Sequence, residues 1–124
     1  MVNKAYNFLR ETRTFFLATA EGNNPKIRPF GALSLIGGKL YFVTSNTKDV
    51  FRQLQKNPAV SVCACNANRE WIRIEGTAII DKSTAAKQKM LDDNPTLLRL
   101  KRYTSATDPN MEVFYIDKPT IIFY

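Results

Sequence analysis

The 124-residue sequence contains no histidine. That removes the side chain that most often serves as a general base near neutral pH. Ser-His-Asp and Cys-His catalytic arrangements are excluded outright. If the chain is an enzyme, a bound cofactor is expected to carry the reaction. Cysteine is scarce, with only Cys63 and Cys65. Two apart on an expected strand, they point to one face, which suits a mutual disulfide poorly. Without histidine they also make a weak zinc site, and they read as small buried hydrophobes. No apolar run approaches the ~18–20 residues needed to cross a bilayer. No apolar signal core follows the opening Met-Val-Asn-Lys-Ala-Tyr, so a cytoplasmic protein without a membrane partner is expected. Internal repeats, low-complexity tracts and linkers are missing too, as are GxGxxG and Walker motifs.

What is present fits one domain spanning residues 1–124. The hydrophobic share of 44% is that of a soluble globular chain. The net charge of +7 is unevenly spread. Residues 1–56 hold nine Lys/Arg against three Asp/Glu, whereas residues 57–124 hold nine against eight. A basic half points to an anionic partner: a phosphate-bearing cofactor, nucleic acid or a membrane surface.

Periodicity predicts a helix over 3–13, with Ala5, Phe8 and Leu9 on one face, and strands over 14–20, 25–35 and 39–44. Pro29 and Gly31 inside the second strand suggest an edge, a bulge or a close approach by a ligand. Gly37-Gly38 makes the turn that follows it. An amphipathic helix is expected over 46–56, with Val50, Phe51 and Leu54 inward, stopped by Asn57-Pro58. Residues 59–65 read as a strand buried on both faces and 70–80 as a long strand. Residues 83–93 read as a helix, 95–102 as a further turn or two, 103–110 as a loop, and 111–116 and 120–124 as two closing strands. The expected class is mainly β: a small barrel of six or seven antiparallel strands with two to four helices.

Three stretches carry possible chemistry. In Thr44-Ser45-Asn46-Thr47-Lys48-Asp49, Ser45 or Asn46 suits an N-cap and Lys48 falls in the first helical turn. A cation there opposes the helix dipole unless an anion lies between it and the free amides, so the segment reads as a phosphate cradle. An ordinary capped helix with a solvated lysine would look the same. In Lys26-Ile27-Arg28-Pro29-Phe30-Gly31, Arg28 offers bidentate phosphate contacts and Gly31 lets a flat ligand approach the backbone; an edge strand kinked by Pro29 is the plainer alternative. In Glu70 to Gly76, alternation sets Ile72 and Ile74 on a core face and Trp71, Arg73 and Glu75 on the other. That second face suits an interface, a ligand wall or the cover of a barrel end.

In order and spacing, FFLATAEGNNPKIRPFGAL, GGKLYFVTSNTKDVFRQLQKNP, EWIRIEGTAII and MEVFYI together resemble the pyridoxamine 5′-phosphate oxidase-like, FMN-binding split-barrel proteins. The resemblance runs from about residue 5 onward. It implies that Arg28, Pro29, Phe30 and Gly31 line a flavin, that Thr44 and Ser45 lie at its ring and ribityl side, and that Asn46, Thr47 and Lys48 hold the phosphate of flavin mononucleotide (FMN). Trp71 stands where family members place a residue near the ring, with Arg73 close by. A homodimer is implied, each flavin touching both chains and serving a small-molecule electron donor or acceptor. True pyridoxamine phosphate oxidases carry a C-terminal extension with Arg and His groups for the substrate. This chain ends at Tyr124 and has no histidine, so that oxidation is not expected. The missing histidine also sets it apart from nitroimidazole-resistance relatives that use one near the flavin.

The expected activity is therefore an FMN-dependent oxidoreduction, with no side-chain acid or base standing out. Two rivals remain. One is a flavin, deazaflavin or heme binder that does not turn over. The other, more distant, is a basic β-barrel that stacks nucleic-acid bases on Phe15, Phe16, Phe30, Tyr41 and Phe42. Adjacent aromatics on a strand face opposite ways, which argues against a stacking platform, and no nucleic-acid partner is expected.

Overall fold

The computed structural model describes residues 1–124. Seven strands form one antiparallel sheet: β1 (Phe15–Glu21), β2 (Asn24–Phe30), β3 (Ser34–Ile36), β4 (Lys39–Ser45), β5 (Ala59–Cys65), β6 (Trp71–Asp81) and β7 (Met111–Phe123). The helices are α1 (Val2–Thr12), α2 (Asp49–Lys56), α3 (Thr84–Asp93) and the short α4 (Thr96–Arg99). The strand order is β2-β1-β5-β6-β7-β4-β3, so β2 and β3 are the free edges of an open sheet.

Aromatic packing shows how the sheet curls. Phe15 on β1 meets Phe42 on β4 with ring centroids 5.6 Å apart, although three strands lie between them in the sheet. Phe42 stacks on Phe114 of β7 at 5.5 Å, and Phe30 at the end of β2 reaches Phe114 at 6.3 Å. These rings fill the inside of the curl together with Leu17, Leu40, Ile72, Ile74 and Ile116. Ala5 and Leu9 of α1, and Val50 and Leu54 of α2, close it, as their helical spacing requires. A second apolar cluster covers the other face of β4 and β7: Tyr41, Val43, Met111 and Val113 pack against Ala86, Met90 and Leu91 of α3 and against Tyr103. The Ser83 hydroxyl caps α3 by accepting from the Ala86 amide. Because β4 is buried on both faces from Leu40 to Thr44, its Leu40–Val43 run is apolar rather than alternating.

Several local expectations need correction. Residues 25–35 are not one strand. The ladder with β1 ends at Phe30, pairing with Phe15, and β3 begins at Ser34 beside β4. Pro29 has no N–H to extend the ladder, and the chain crosses from one edge of the sheet to the other through Gly31–Leu33. The two closing strands are one: β7 runs from Met111 to Phe123 and passes Lys118 at φ 48° beside a register shift in β6 between Glu75 and Thr77. Gly76 lies in that irregularity. A Cβ there would come within 2.5 Å of Ile116 Cγ2 and 2.8 Å of the Asp117 carbonyl, so no larger residue fits. Residues 59–65 are buried on one face only, which leaves Cys65 exposed and Cys63 half-buried, not core. At Gly37 and Gly38, φ values of 57° and 74° give the tight β3–β4 turn that favours glycine.

Helix α2 begins later than expected. Lys48 is the N-cap residue and Asp49 the first helical one, and no side chain caps the amides. Ser45 and Asn46 are engaged elsewhere. Ser45 Oγ lies 2.8 Å from Thr47 Oγ1 and accepts from the Thr47 amide. Asn46 Nδ2 donates to the Pro109 carbonyl and to Glu112 Oε2 at 2.8 and 3.0 Å. Asp49 turns back to Arg52, 3.4 Å away. The strand-to-helix turn is thus held by Ser45 and Thr47 within it and by Asn46 bonded to Pro109 and Glu112, and it presents Lys48 at the mouth of α2.

Candidate functional site

The corner where β2 ends, β4 meets α2 and α4 folds over encloses a cleft of about 500 Å³. Arg28, Pro29, Phe30 and Gly31 form one wall, Val43 and Thr44 another, and Lys48 and Val50 the head of α2. The fourth wall comes from Asn94, Thr96, Leu97, Leu100, Arg102 and Tyr103. Six residues expected from the sequence are thereby brought together: Arg28, Pro29, Phe30, Gly31, Thr44 and Lys48. Ser45, Asn46 and Thr47 shape the turn behind Lys48 and do not line the cleft. Trp71 and Arg73 lie elsewhere on the chain. The Trp71 ring stacks on Tyr124 with centroids 3.9 Å apart and planes 10° apart. The Arg73 guanidinium lies over both rings, 5.3 and 5.6 Å from their centroids.

The electrostatics of the cleft are one-sided. Three cations line it, Arg28, Lys48 and Arg102, and no carboxylate does. None of the three takes part in a salt bridge, whereas Arg52, Lys82 and Lys89 do. Partial burial pulls the Arg28 pKa down and the charge of nearby Asp49 opposes this, yet a guanidinium stays cationic under any physiological condition. An unpaired, partly desolvated cation is costly until an anion arrives. The first amides of α2 add to the attraction, because a helix N-terminus leaves them without intrahelical acceptors. A second hollow, about 330 Å³, adjoins the first and shares Arg28, Lys48 and Val50, with Glu21 and Asp49 on its far side. Those two cations therefore mark one end of the cleft, and Arg102, Leu100 and Tyr103 belong to the main cleft alone.

The rest of the lining suits a flat apolar body: Phe30, Ala32, Val43, Leu97, Leu100 and the Tyr103 ring. Gly31 is open to it, since a Cβ there would find nothing nearer than the Arg13 carbonyl at 3.5 Å. Asn94 pins the Gly31–Leu33 crossing to α3. Its Nδ2 donates to the Leu33 and Met90 carbonyls at 3.0 and 2.9 Å, and its Oδ1 accepts from the Leu33 amide at 3.2 Å and from Arg10 at 2.9 Å. The Leu97 carbonyl accepts the Arg102 and Tyr103 amides, which fixes the far wall. Burial pushes the Tyr103 phenol up to about 12, so near neutrality it is a hydrogen-bond donor and not a base. The sequence offered little sign of this wall. A short helix is expected there after Asn94-Pro95, but only the fold shows that Arg102 and Tyr103 line the same cleft as Lys48.

The pyridoxamine 5′-phosphate oxidase family model matches residues 1–121, and the chain belongs to that family. It is 36% identical to a NimC/NimA family protein from Clostridium acetobutylicum, with a TM-score of 0.93 over 99% of this chain and 86% of the other. General Stress Protein 26 from Bacillus anthracis is similar in fold, at 24% identity and a TM-score of 0.80 over 98% and 92% of the two chains. A pyridoxamine 5′-phosphate oxidase-related, FMN-binding protein from Nostoc punctiforme shares the fold at 20% identity and a TM-score of 0.71, over 94% and 76%. No curated protein matches the chain. The expected mainly β split-barrel class, with six or seven antiparallel strands and two to four helices, is met by the seven strands and four helices of this chain, whose fold matches these neighbours. No helix is long and apolar enough to cross a membrane.

Proposed function

We propose that the protein is an FMN-dependent oxidoreductase that works as a homodimer, with the flavin held where two copies meet. The observation that carries the reading is the cleft: three unpaired cations, no acid, a bare glycine and an apolar wall around about 500 Å³. Family membership and the FMN-binding protein from Nostoc punctiforme support the same ligand.

In this reading Lys48, Arg28 and the first amides of α2 hold the phosphate, while Thr44 borders the ribityl chain. The ring lies along Pro29–Gly31, where it meets backbone and little side chain. Bound flavin supplies electron or hydride transfer between a small-molecule donor and an acceptor. The protein's own work is to orient, to exclude water and to hold charge. Tyr103 offers a proton-bearing oxygen, and Arg102 a second positive site, to whatever approaches the ring from α4. No carboxylate, histidine or cysteine lines the cleft, which also favours a second reading, a flavin binder without turnover.

The second copy is expected to cover the outer face of the sheet. Phe16, Cys63, Arg73 and Ile122 lie opposite one another across four neighbouring strands, so they share that face. Phe16, Ile122, Tyr124 and Ile27 are exposed large hydrophobic residues. A patch of this kind usually marks an interface. It holds the Trp71–Arg73–Tyr124 cluster, which would then reach the flavin from the partner. The reading is tested by titrating the purified protein with FMN and following flavin absorbance. Saturable binding at micromolar FMN supports it, and absence of binding rejects it.

A further inference from the structure

Arg28 is held in the cleft by neutral oxygens. Its Nη1 donates to Thr19 Oγ1 at 2.7 Å and to the Leu17 carbonyl at 3.4 Å, and its Nη2 donates to Gln53 Oε1 at 2.6 Å. The Thr19 hydroxyl donates to the same Gln53 oxygen at 2.6 Å. Three of the five guanidinium N–H groups are thereby used, and two are left for a ligand.

Gln53 is an unusual member of its helix. It is 3% exposed, on the stripe of α2 that also buries Val50, Phe51 and Leu54, and Thr19 is 4% exposed. A buried amide on an apolar stripe is costly unless fully bonded. Here it is bonded on both sides, because Nε2 donates to Glu21 Oε2 at 3.0 Å. Glu21 is in turn held by Arg52 at 2.7 Å, and these hydrogen bonds from Gln53 and Arg52 keep its carboxyl below the usual range, hence charged. The order is therefore carboxylate, amide, guanidinium. The amide passes on the geometry and keeps the negative charge one side chain away from Arg28.

We propose that Gln53, seconded by Thr19, is a positioning residue that fixes Arg28 in the cleft while leaving its charge free, and so sets the preference for a phosphorylated ligand over its unphosphorylated counterpart. This rests on the flavin reading of the cleft. A glutamate at position 53 would form a buried ion pair with Arg28 and cancel the attraction for phosphate. An apolar residue would leave Arg28 charged but unguided.

The discriminating variant is the charge-conserving exchange Glu21→Gln with Gln53→Glu. It keeps a hydrogen bond between positions 21 and 53 and leaves the net charge unchanged, but moves the carboxylate onto Arg28. Dissociation constants for FMN and riboflavin are measured by flavin fluorescence on the full chain, alongside thermal melts. Wild type is expected to favour FMN, and the exchange to cut the FMN-to-riboflavin preference by at least about tenfold while riboflavin affinity stays within about threefold. Gln53→Met keeps the volume and removes the oxygen, and is expected to cut the same preference by about 3–10-fold; it decides the matter if the exchange does not fold. An unchanged preference in a folded variant overturns the role of Gln53 and leaves the flavin reading standing. A wild-type protein that takes up neither flavin, or takes both equally, overturns the phosphate seat itself and the role of Gln53 with it.

Discussion

Gly31→Ala separates what the fold requires from what the ligand requires. In the protein alone, the added methyl carbon would lie 3.5 Å from the Arg13 carbonyl, an ordinary van der Waals contact. Gly31 has no left-handed backbone angle, so alanine is not strained there. Stability should change by no more than about 0.5 kcal/mol, or rise slightly as the unfolded chain loses freedom. A ring lying on Gly31 meets that methyl group directly. Forcing a methyl into a filled contact costs about 1–3 kcal/mol, which is roughly a 5–150-fold loss of affinity. The loss should be equal for FMN and riboflavin, because both carry the ring and only one carries the phosphate. The assay is flavin titration by fluorescence, paired with a thermal melt. A variant that melts normally and binds both flavins as tightly as wild type would show that the ring does not lie on Gly31.

Lys48→Ala should behave in the opposite way, weakening FMN by about 1.5–3 kcal/mol as a lost charge-assisted hydrogen bond and leaving riboflavin nearly unchanged; parallel titrations check this. Gly76→Ala should destabilise the fold by about 1–3 kcal/mol, read from urea unfolding, because its Cβ would come within 2.8 Å of the Asp117 backbone carbonyl, which cannot swing aside. Acid should weaken the fold through Glu112. Burial raises its pKa, but hydrogen bonds from Lys82 and Asn46 and the Lys82 charge outweigh this and hold it below the ordinary glutamate value. A folded-state value below the unfolded one means that the stabilisation is complete above the unfolded value and is lost as pH falls through the folded one. Glu112→Gln should therefore show a smaller drop in urea midpoint between pH 7 and about pH 3 than wild type.

Much of the fold could be read from sequence because the signals were local. The stripe of Ala5 and Leu9, the stop at Asn57-Pro58 and the pair Gly37-Gly38 each fix geometry within a few residues. The errors came where distant parts decide. Whether residues 25–35 stay one strand depends on where the ladder with β1 ends. Whether residue 46 or 49 begins α2 depends on Asn46, whose amide is claimed by Pro109 and Glu112 from the far end of the chain. The site divides in the same way. Arg28 to Gly31 and Lys48 stood out by residue type next to a turn, and the fold brings them together. Arg102 and Tyr103 carry no motif, and only the folding of α4 over the cleft puts them there. Gln53 resembled one more polar helix residue until its burial showed that it faces inward.

The most direct test is whether the protein retains FMN. The protein is mixed with excess FMN and passed through a desalting column, and its visible absorbance is recorded with riboflavin and free phosphate in parallel. The expected result is about one flavin retained per chain with FMN, much less with riboflavin, and partial displacement of FMN by high phosphate. Flavin that passes through unbound, or riboflavin retained as well as FMN, would contradict a phosphate seat formed by Arg28 and Lys48.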